Sequence, residues 1–178
     1  MSSHHFVKEG QEPALFILEA LEFKYVEPLL EWVPLIIVVD GILDDVLKWG
    51  IKIDAVLHND LKLKELEDKL EDQFPVQIVP SEKHNAITTG FQFLVGKGIM
   101  SVNVVSRPEE TLFQNLTDLS SQLQIGVIGD QKWFLVRTGK LEKWLPNGYK
   151  ILLRSTNGSL LHHEGMVQNG EFCESLKE

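Results

Sequence analysis

The hydrophobic pattern keeps one rhythm from Ala14 to Leu119, where short apolar runs alternate with segments whose apolar residues recur at helical spacing. The clearest stretch is Leu35 to Leu61, LIIVVDGILDDVLKWGIKIDAVLHNDL. Its opening run, Leu35 to Val39, is rich in Ile and Val and ends at Asp40-Gly41, the pattern of a strand buried on both faces in a parallel sheet. Ile42, Leu43, Val46 and Leu47 then share one helical face, with Asp44, Asp45 and Lys48 on the other. Gly50 reads as the helix stop, and Ala55 to Leu57 as the next strand. This strand–helix–strand unit puts Asp40 and Asn59-Asp60 at the carboxyl ends of its strands, where open α/β sheets bind ligands.

The flanking segments extend the alternation. Ala14 to Leu18 reads as a first strand. Tyr25 to Trp32 reads as a short helix, with Pro28 near its start and Pro34 past its end. Lys62 to Gln73 is a charged helix with Leu63, Leu66 and Leu70 on one face and a solvated face of ion pairs opposite. Val76 to Val79 is a strand and Pro80 to Asn85 a loop. Ala86 to Lys97 is a helix burying Ile87, Phe91 and Leu94. Gly96-Lys97-Gly98 follows that helix instead of preceding one, so it reads as a stop and not as a phosphate loop. Ser101 to Val105 is a strand and Glu109 to Leu119 a helix. The alternation predicts an α/β, Rossmann-like, mostly parallel sheet with helices on both faces.

After about Gln122 the rhythm changes. Gln124 to Gly129 and Lys132 to Thr138 read as strands around an Asp130-Gln131 turn. Tyr149 to Arg154, Leu160 to His163 and Met166-Val167 follow, with Asn147-Gly148 and Asn157-Gly158 as hairpin signals. The division expected is an α/β domain over 1–121 and a small, sandwich-like antiparallel β domain over 122–178.

The 178 residues suffice for the core of one domain or one and a half. A formal net charge of −9, from 17 basic and 26 acidic residues, argues against nucleic acid as a partner. No apolar run approaches the ~20 residues of a membrane helix, and the amino terminus lacks the apolar core of a signal peptide. The single Cys173 cannot form an internal disulfide. Together these predict a cytoplasmic protein without a membrane partner, in which the Asn115-Leu116-Thr117 sequon carries no meaning. His4-His5 reads as tail. His58, His84 and His162-His163 lack zinc-ligand spacing, and Cys173 has no triad around it. Trp32, Trp49, Trp133 and Trp144 read as core or interface anchors.

The order Asp40-Gly41, short helix, Gly50-Ile51-x-x-Asp54, apolar strand, polar cluster resembles the catalytic domain of the thiamin pyrophosphokinase family. There the stretch reads roughly ADGGAN, helix, GIxPD, strand, GDxDS. The resemblance covers Ala14 to Leu119, and the β region after it matches the family's second domain in place. It implies Mg²⁺-dependent pyrophosphoryl transfer from ATP to thiamin, Mg·ATP as cofactor, and a homodimer with thiamin at the subunit interface. It also implies that aspartates in three motifs hold the metal. At the first, His58, Asn59, Asp60, Leu61 and Lys62 stand where the family has Gly-Asp-x-Asp-Ser. At the second, Glu82-Lys83-His84-Asn85-Ala86-Ile87 stands for Asp-Lys-Asp-x-Thr-Asp. At the third, Glu110, Thr111, Asn115 and Leu116 take the Asp, His, Asn and Leu positions of Gly-Gly-Arg-x-Asp-His-x-x-x-Asn-Leu.

The ligand-binding positions carried over are therefore Asp40, Gly41, Asn59, Asp60, Glu82, Lys83, Glu110 and Asn115; no catalytic or metal residue is assigned. The expectation is a member of this fold with thiamin or nucleotide as ligand and with pyrophosphoryl transfer impaired by the missing carboxylates. One alternative is an active enzyme in which Asp60, Glu82 and Glu110 hold Mg²⁺ in a shifted arrangement. Another is a non-catalytic homodimeric scaffold, with Asp40, Asn59, Asp60 and Glu82 serving only as loop and capping residues.

Overall fold

The computed structural model describes residues 12–59, 63–82 and 85–135, and the backbone alone of 140–144, 150–152, 164–166 and 171–175. The chain divides into two compact units, one up to Phe134 and one from Leu135.

The first unit is a seven-stranded sheet. Its strands are β1 (Ala14–Ile17), β2 (Ile36–Val39), β3 (Ala55–His58), β4 (Gln77–Pro80), β5 (Ser101–Val105), β6 (Gln124–Ile128) and β7 (Lys132–Phe134). They lie in the order β4-β3-β2-β1-β5-β6-β7, all parallel except β7, which runs antiparallel to β6. A parallel sheet of this kind must be covered on both faces. One face carries Leu15, Ile17, Val38 and Val56 against Leu43 and Val46 of α1 (Leu43–Leu47), Leu66 of α2 (Leu63–Lys69) and Leu70. On the other face Phe16 meets Phe91 of α3 (Ala86–Gly96), with ring centroids 6.2 Å apart. Beside α3 lies α4 (Glu110–Leu119), which buries Leu112 and Leu116. This is the α/β class that the alternation predicts.

The second unit shows two antiparallel pairs. β8 (Lys140–Trp144) pairs with β11 (Glu171–Ser175), and β9 (Lys150–Leu152) pairs with β10 (Glu164–Met166). The expected turns at Asn147-Gly148 and Asn157-Gly158 and the strand at Leu160 to His163 lie outside the described residues.

The structure corrects the sequence reading at several places. The sequence pattern places residues 124–134 in the carboxyl-terminal β domain. Instead β6 hydrogen-bonds parallel to β5 and carries β7 with it, so the α/β unit extends to Phe134 and not to residue 121. An antiparallel hairpin tells the strand type of its arms but not which third strand one arm will join. Tyr25 to Trp32 forms two 3-10 segments, Phe23–Tyr25 and Glu27–Trp32, ended by Val33 at φ 49°. Pro28, at the start of the second segment, removes an amide that a longer α-helix would use. Leu63 is 46% exposed, whereas Leu66 and Leu70, which share its helical face, are buried. Trp32 is 62% exposed, which leaves it the interface role of the two read for the tryptophans. Trp49 packs on Phe23 and Trp133 on Phe113, as expected of anchors. The predicted stops hold, with Gly50 at φ 66° and Gly98 at φ 75°, a region that β-carbons disfavour.

Two contacts fix this architecture locally. Gly90 of α3 sits so close to the sheet that a β-carbon would lie 2.5 Å from the Phe16 ring and 3.2 Å from Leu57. Asp54 Oδ2 accepts the Ile36 amide at 2.7 Å, while its own amide donates to the Ile36 carbonyl at 3.0 Å and its carbonyl accepts from Gln77 at 2.9 Å. It therefore ties the amino ends of β2, β3 and β4 together.

Gly90→Ala is expected to cost about 1–3 kcal/mol, since Phe16 is fully buried and has nowhere to move; urea denaturation measures it. Asp54→Ala should cost about 1–2 kcal/mol by orphaning the Ile36 amide. Asp54→Asn, which keeps an acceptor oxygen, should recover most of that loss in the same assay.

Candidate functional site

A cleft of about 380 Å³ opens at the carboxyl ends of β1 to β5. The strand order makes it. From β1 the chain builds outward through β2, β3 and β4, then crosses back to place β5 on the other side of β1. The connections that follow β1 and β5 therefore leave in opposite directions, and open α/β sheets bind ligands in the crevice this leaves. Leu18, Val39 and Leu57 form an apolar floor. Ala86 and Ile87 from the first turn of α3, and Thr111 and Leu112 from the first turn of α4, close the far side. Neither helix has a side-chain cap, so their leading amides face this end of the sheet with the partial positive charge of helix amino termini.

Four carboxylates stand around the floor: Glu19 after β1, Asp40 after β2, Glu82 after β4 and Glu109 at the start of α4. No Lys, Arg or His side chain lines the cleft among the described residues. Three of the acids, Glu19, Glu82 and Asp40, are tethered. Glu19 Oε2 accepts the Arg107 amide at 3.2 Å and lies 3.5 Å from its guanidinium. Glu82 accepts from the Asn85 side chain at 3.1 Å. Asp40 Oδ2 accepts the Asn59 amide at 3.2 Å and lies 3.0 Å from His58 Nδ1. Ser106, after β5, is buried at the rim and donates to the Arg107 carbonyl at 3.3 Å. The ammonium groups of Lys24 and Lys48 are held above their usual range by hydrogen bonds to Glu22 and Asp45, but neither lines the cleft.

Of the residues selected from sequence, Asp40, Gly41, Asn59, Glu82 and Asn115 line this one cleft, although they come from four separate segments. Glu110 does not: Glu109 and Thr111 on either side of it do. A helix turns by about 100° per residue, so a one-residue error in its start re-aims the side chain. Asp60 and Lys83 lie outside the described residues. The sequence reading missed Glu19, Ser81, Ser106 and Glu109. The available signal was positional, since Glu19, Ser81 and Ser106 sit just past the carboxyl end of a strand and Glu109 stands at the N-cap position of the helix that follows β5.

Among the described residues no three His, Cys, Asp or Glu side chains come together as a metal site. The charged groups that line the cleft are four carboxylates, a ligand type that hard cations take. Mg²⁺ is commonly held by one or two carboxylates with the remaining positions filled by water and phosphate. No helix among the described residues is long and apolar enough to cross a membrane. No protein-family model matches the chain, and no curated protein matches it.

Asp40→Ala should destabilise the fold by about 1–3 kcal/mol, because it leaves the His58 ring and the Asn59 amide without their acceptor. Glu82→Ala, at an exposed loop, should stay within about 0.5 kcal/mol of the parent. Paired denaturation curves distinguish the two, and equal losses would mean that the Asp40 hydrogen bonds are not formed in solution.

Proposed function

We propose that this chain is a thiamin pyrophosphokinase-like binding protein of the cytoplasm. Its cleft takes a nucleotide together with its Mg²⁺, or the thiamin cation, and transfers no pyrophosphate at a useful rate. The observation that carries the reading is the convergence of Asp40, Gly41, Asn59, Glu82 and Asn115 on one cleft at the switch point of the sheet. Each follows a strand end or lies on a helix at the edge of the sheet where the resembled motifs also fall, and that shared placement is what supports the reading.

The electrostatics fit such ligands. Four carboxylates repel a bare polyphosphate and attract a cation. The leading amides of α3 and α4 complement phosphate oxygens. A Mg·nucleotide offers both signs, and thiamin offers the cation. Phosphoryl chemistry depends on positioned carboxylates and metal more than on covalent help. Asn59 takes one family aspartate's place, and Glu110 stands outside the cleft, so the set needed for transfer is short.

A homodimeric scaffold is the second reading. Trp32 and Val33, 62% and 88% exposed before β2, favour it, because such side chains are enriched where protein surfaces meet.

Isothermal titration of the full chain with Mg·ATP, with ATP in EDTA and with thiamin tests the first reading, alongside an assay for thiamin diphosphate. Binding of Mg·ATP, weaker binding without the metal, thiamin binding that fades with added salt and no product are expected. Product formation would establish an active enzyme. Silence with all three ligands, together with a dimer by light scattering that Trp32→Glu dissolves, would establish the scaffold.

A further inference from the structure

β2 and β3 pair in register, Val38 with Val56 and Val39 with Leu57. Continuing one residue sets Asp40 opposite His58 at the carboxyl edge. His58 Nδ1 lies 3.0 Å from Asp40 Oδ2, and the same oxygen accepts the Asn59 amide at 3.2 Å. The His58 side chain is only 10% exposed, and its Nε2 is buried with no hydrogen-bond partner among the described residues. Asp40 lines the cleft and His58 does not, so the imidazole stands behind the carboxylate.

The unpartnered Nε2 decides where the proton sits. An imidazolium would bury an unpaired, charged N–H. The Nε2–H tautomer would bury an unpaired donor and turn the Nδ1 lone pair against an anionic oxygen. A neutral ring with its proton on Nδ1 leaves only an unpaired acceptor inside and satisfies the carboxylate. We propose that His58 is the positioning residue of this cleft: a neutral imidazole that donates Nδ1–H to Asp40 Oδ2 and holds an anionic carboxylate at the cleft wall. Two donors on Oδ2 fix the orientation of the group. Oδ1 has no partner among the described residues and is the oxygen left for a cationic nitrogen or an N–H donor of the ligand. The role rests on the reading of the cleft as a binding site.

The test is a long-range ¹H–¹⁵N correlation spectrum of the histidine rings in the ¹⁵N-labelled full chain at neutral pH, with His58 assigned through its side-chain carbons. The wild type should show His58 as the neutral Nδ1–H tautomer, and Asp40→Ala should abolish that preference. The second arm is titration with thiamin. His58→Leu should bind it about tenfold more weakly. His58→Asn should bind it close to the wild type, since its Nδ2 is attached at Cγ as Nδ1 is and can donate to the same oxygen. A charged His58, an Nε2–H tautomer, an unchanged tautomer in Asp40→Ala, or full affinity in His58→Leu would each overturn the proposal. An Nδ1–H tautomer in a protein that binds neither thiamin nor Mg·ATP would overturn the positioning role through the site reading instead, and the two failures are thereby told apart.

Discussion

Everything in the α/β unit depends on covering β1 on both faces. Its four residues, Ala14 to Ile17, are buried, with Leu15 and Ile17 on one side and Phe16 on the other. A strand with no wet face must have a neighbour at each edge and a helix layer above and below. β2 and β5 supply the edges, α1 and α2 one layer, α3 and α4 the other. Close cover needs a close helix, hence the glycine at position 90, where a side chain would run into Phe16. The cleft follows from the same constraint. Because β1 is central, the chain must build outward from it on both sides, and the connections part where β1 meets β5. The site is thus a consequence of topology before any polar residue is chosen.

This explains why the sheet was legible in the sequence. Runs such as Ile36–Val39 and Ala55–Leu57 are apolar throughout because both faces are buried, and their alternation with helical periods specifies a parallel sheet. Glycine stops at 50 and 98 are local conformational demands and can be read locally. Pairing partners are not local. The hairpin of β6 and β7 has its own turn, and only its burial against β5 and α4, through contacts such as Phe113 with Trp133, assigns it to the first unit. Leu63 obeys the helical period yet lies exposed, since the period says which face it shares and not whether the core reaches that far.

The site was legible to the extent that it is positional. Asp40, Asn59 and Glu82 end up together because each follows a strand at the same edge, which a strand assignment alone implies. Side chains on helix starts were less secure, as the exchange of Glu110 for Glu109 shows. The pairing of His58 with Asp40 was hidden for a different reason. The residues are 18 apart in sequence, and only the parallel register of β2 and β3 brings them opposite each other. Ligand-spacing arguments search for histidines near other ligands along the chain, so they pass over a pair formed across two strands.

The apolar core and the polar cleft draw largely on separate residues, Asp40 with its bonds to His58 and Asn59 being the exception. The sheet needs apolar volume in β1 to β6 and small residues at close approaches. None of the cleft carboxylates takes part in that packing. Pyrophosphoryl transfer would need several carboxylates held within coordination distance of one ion, and losing one or two leaves the core untouched. What remains at the edge is a shape and a pattern of charge: an apolar floor, carboxylates from three strand ends and from the start of α4, and two helix amino termini. Its strongest fixed element is Asp40, because the Asn59 amide and the His58 ring hold it from behind and the ring has no other hydrogen-bond partner among the described residues.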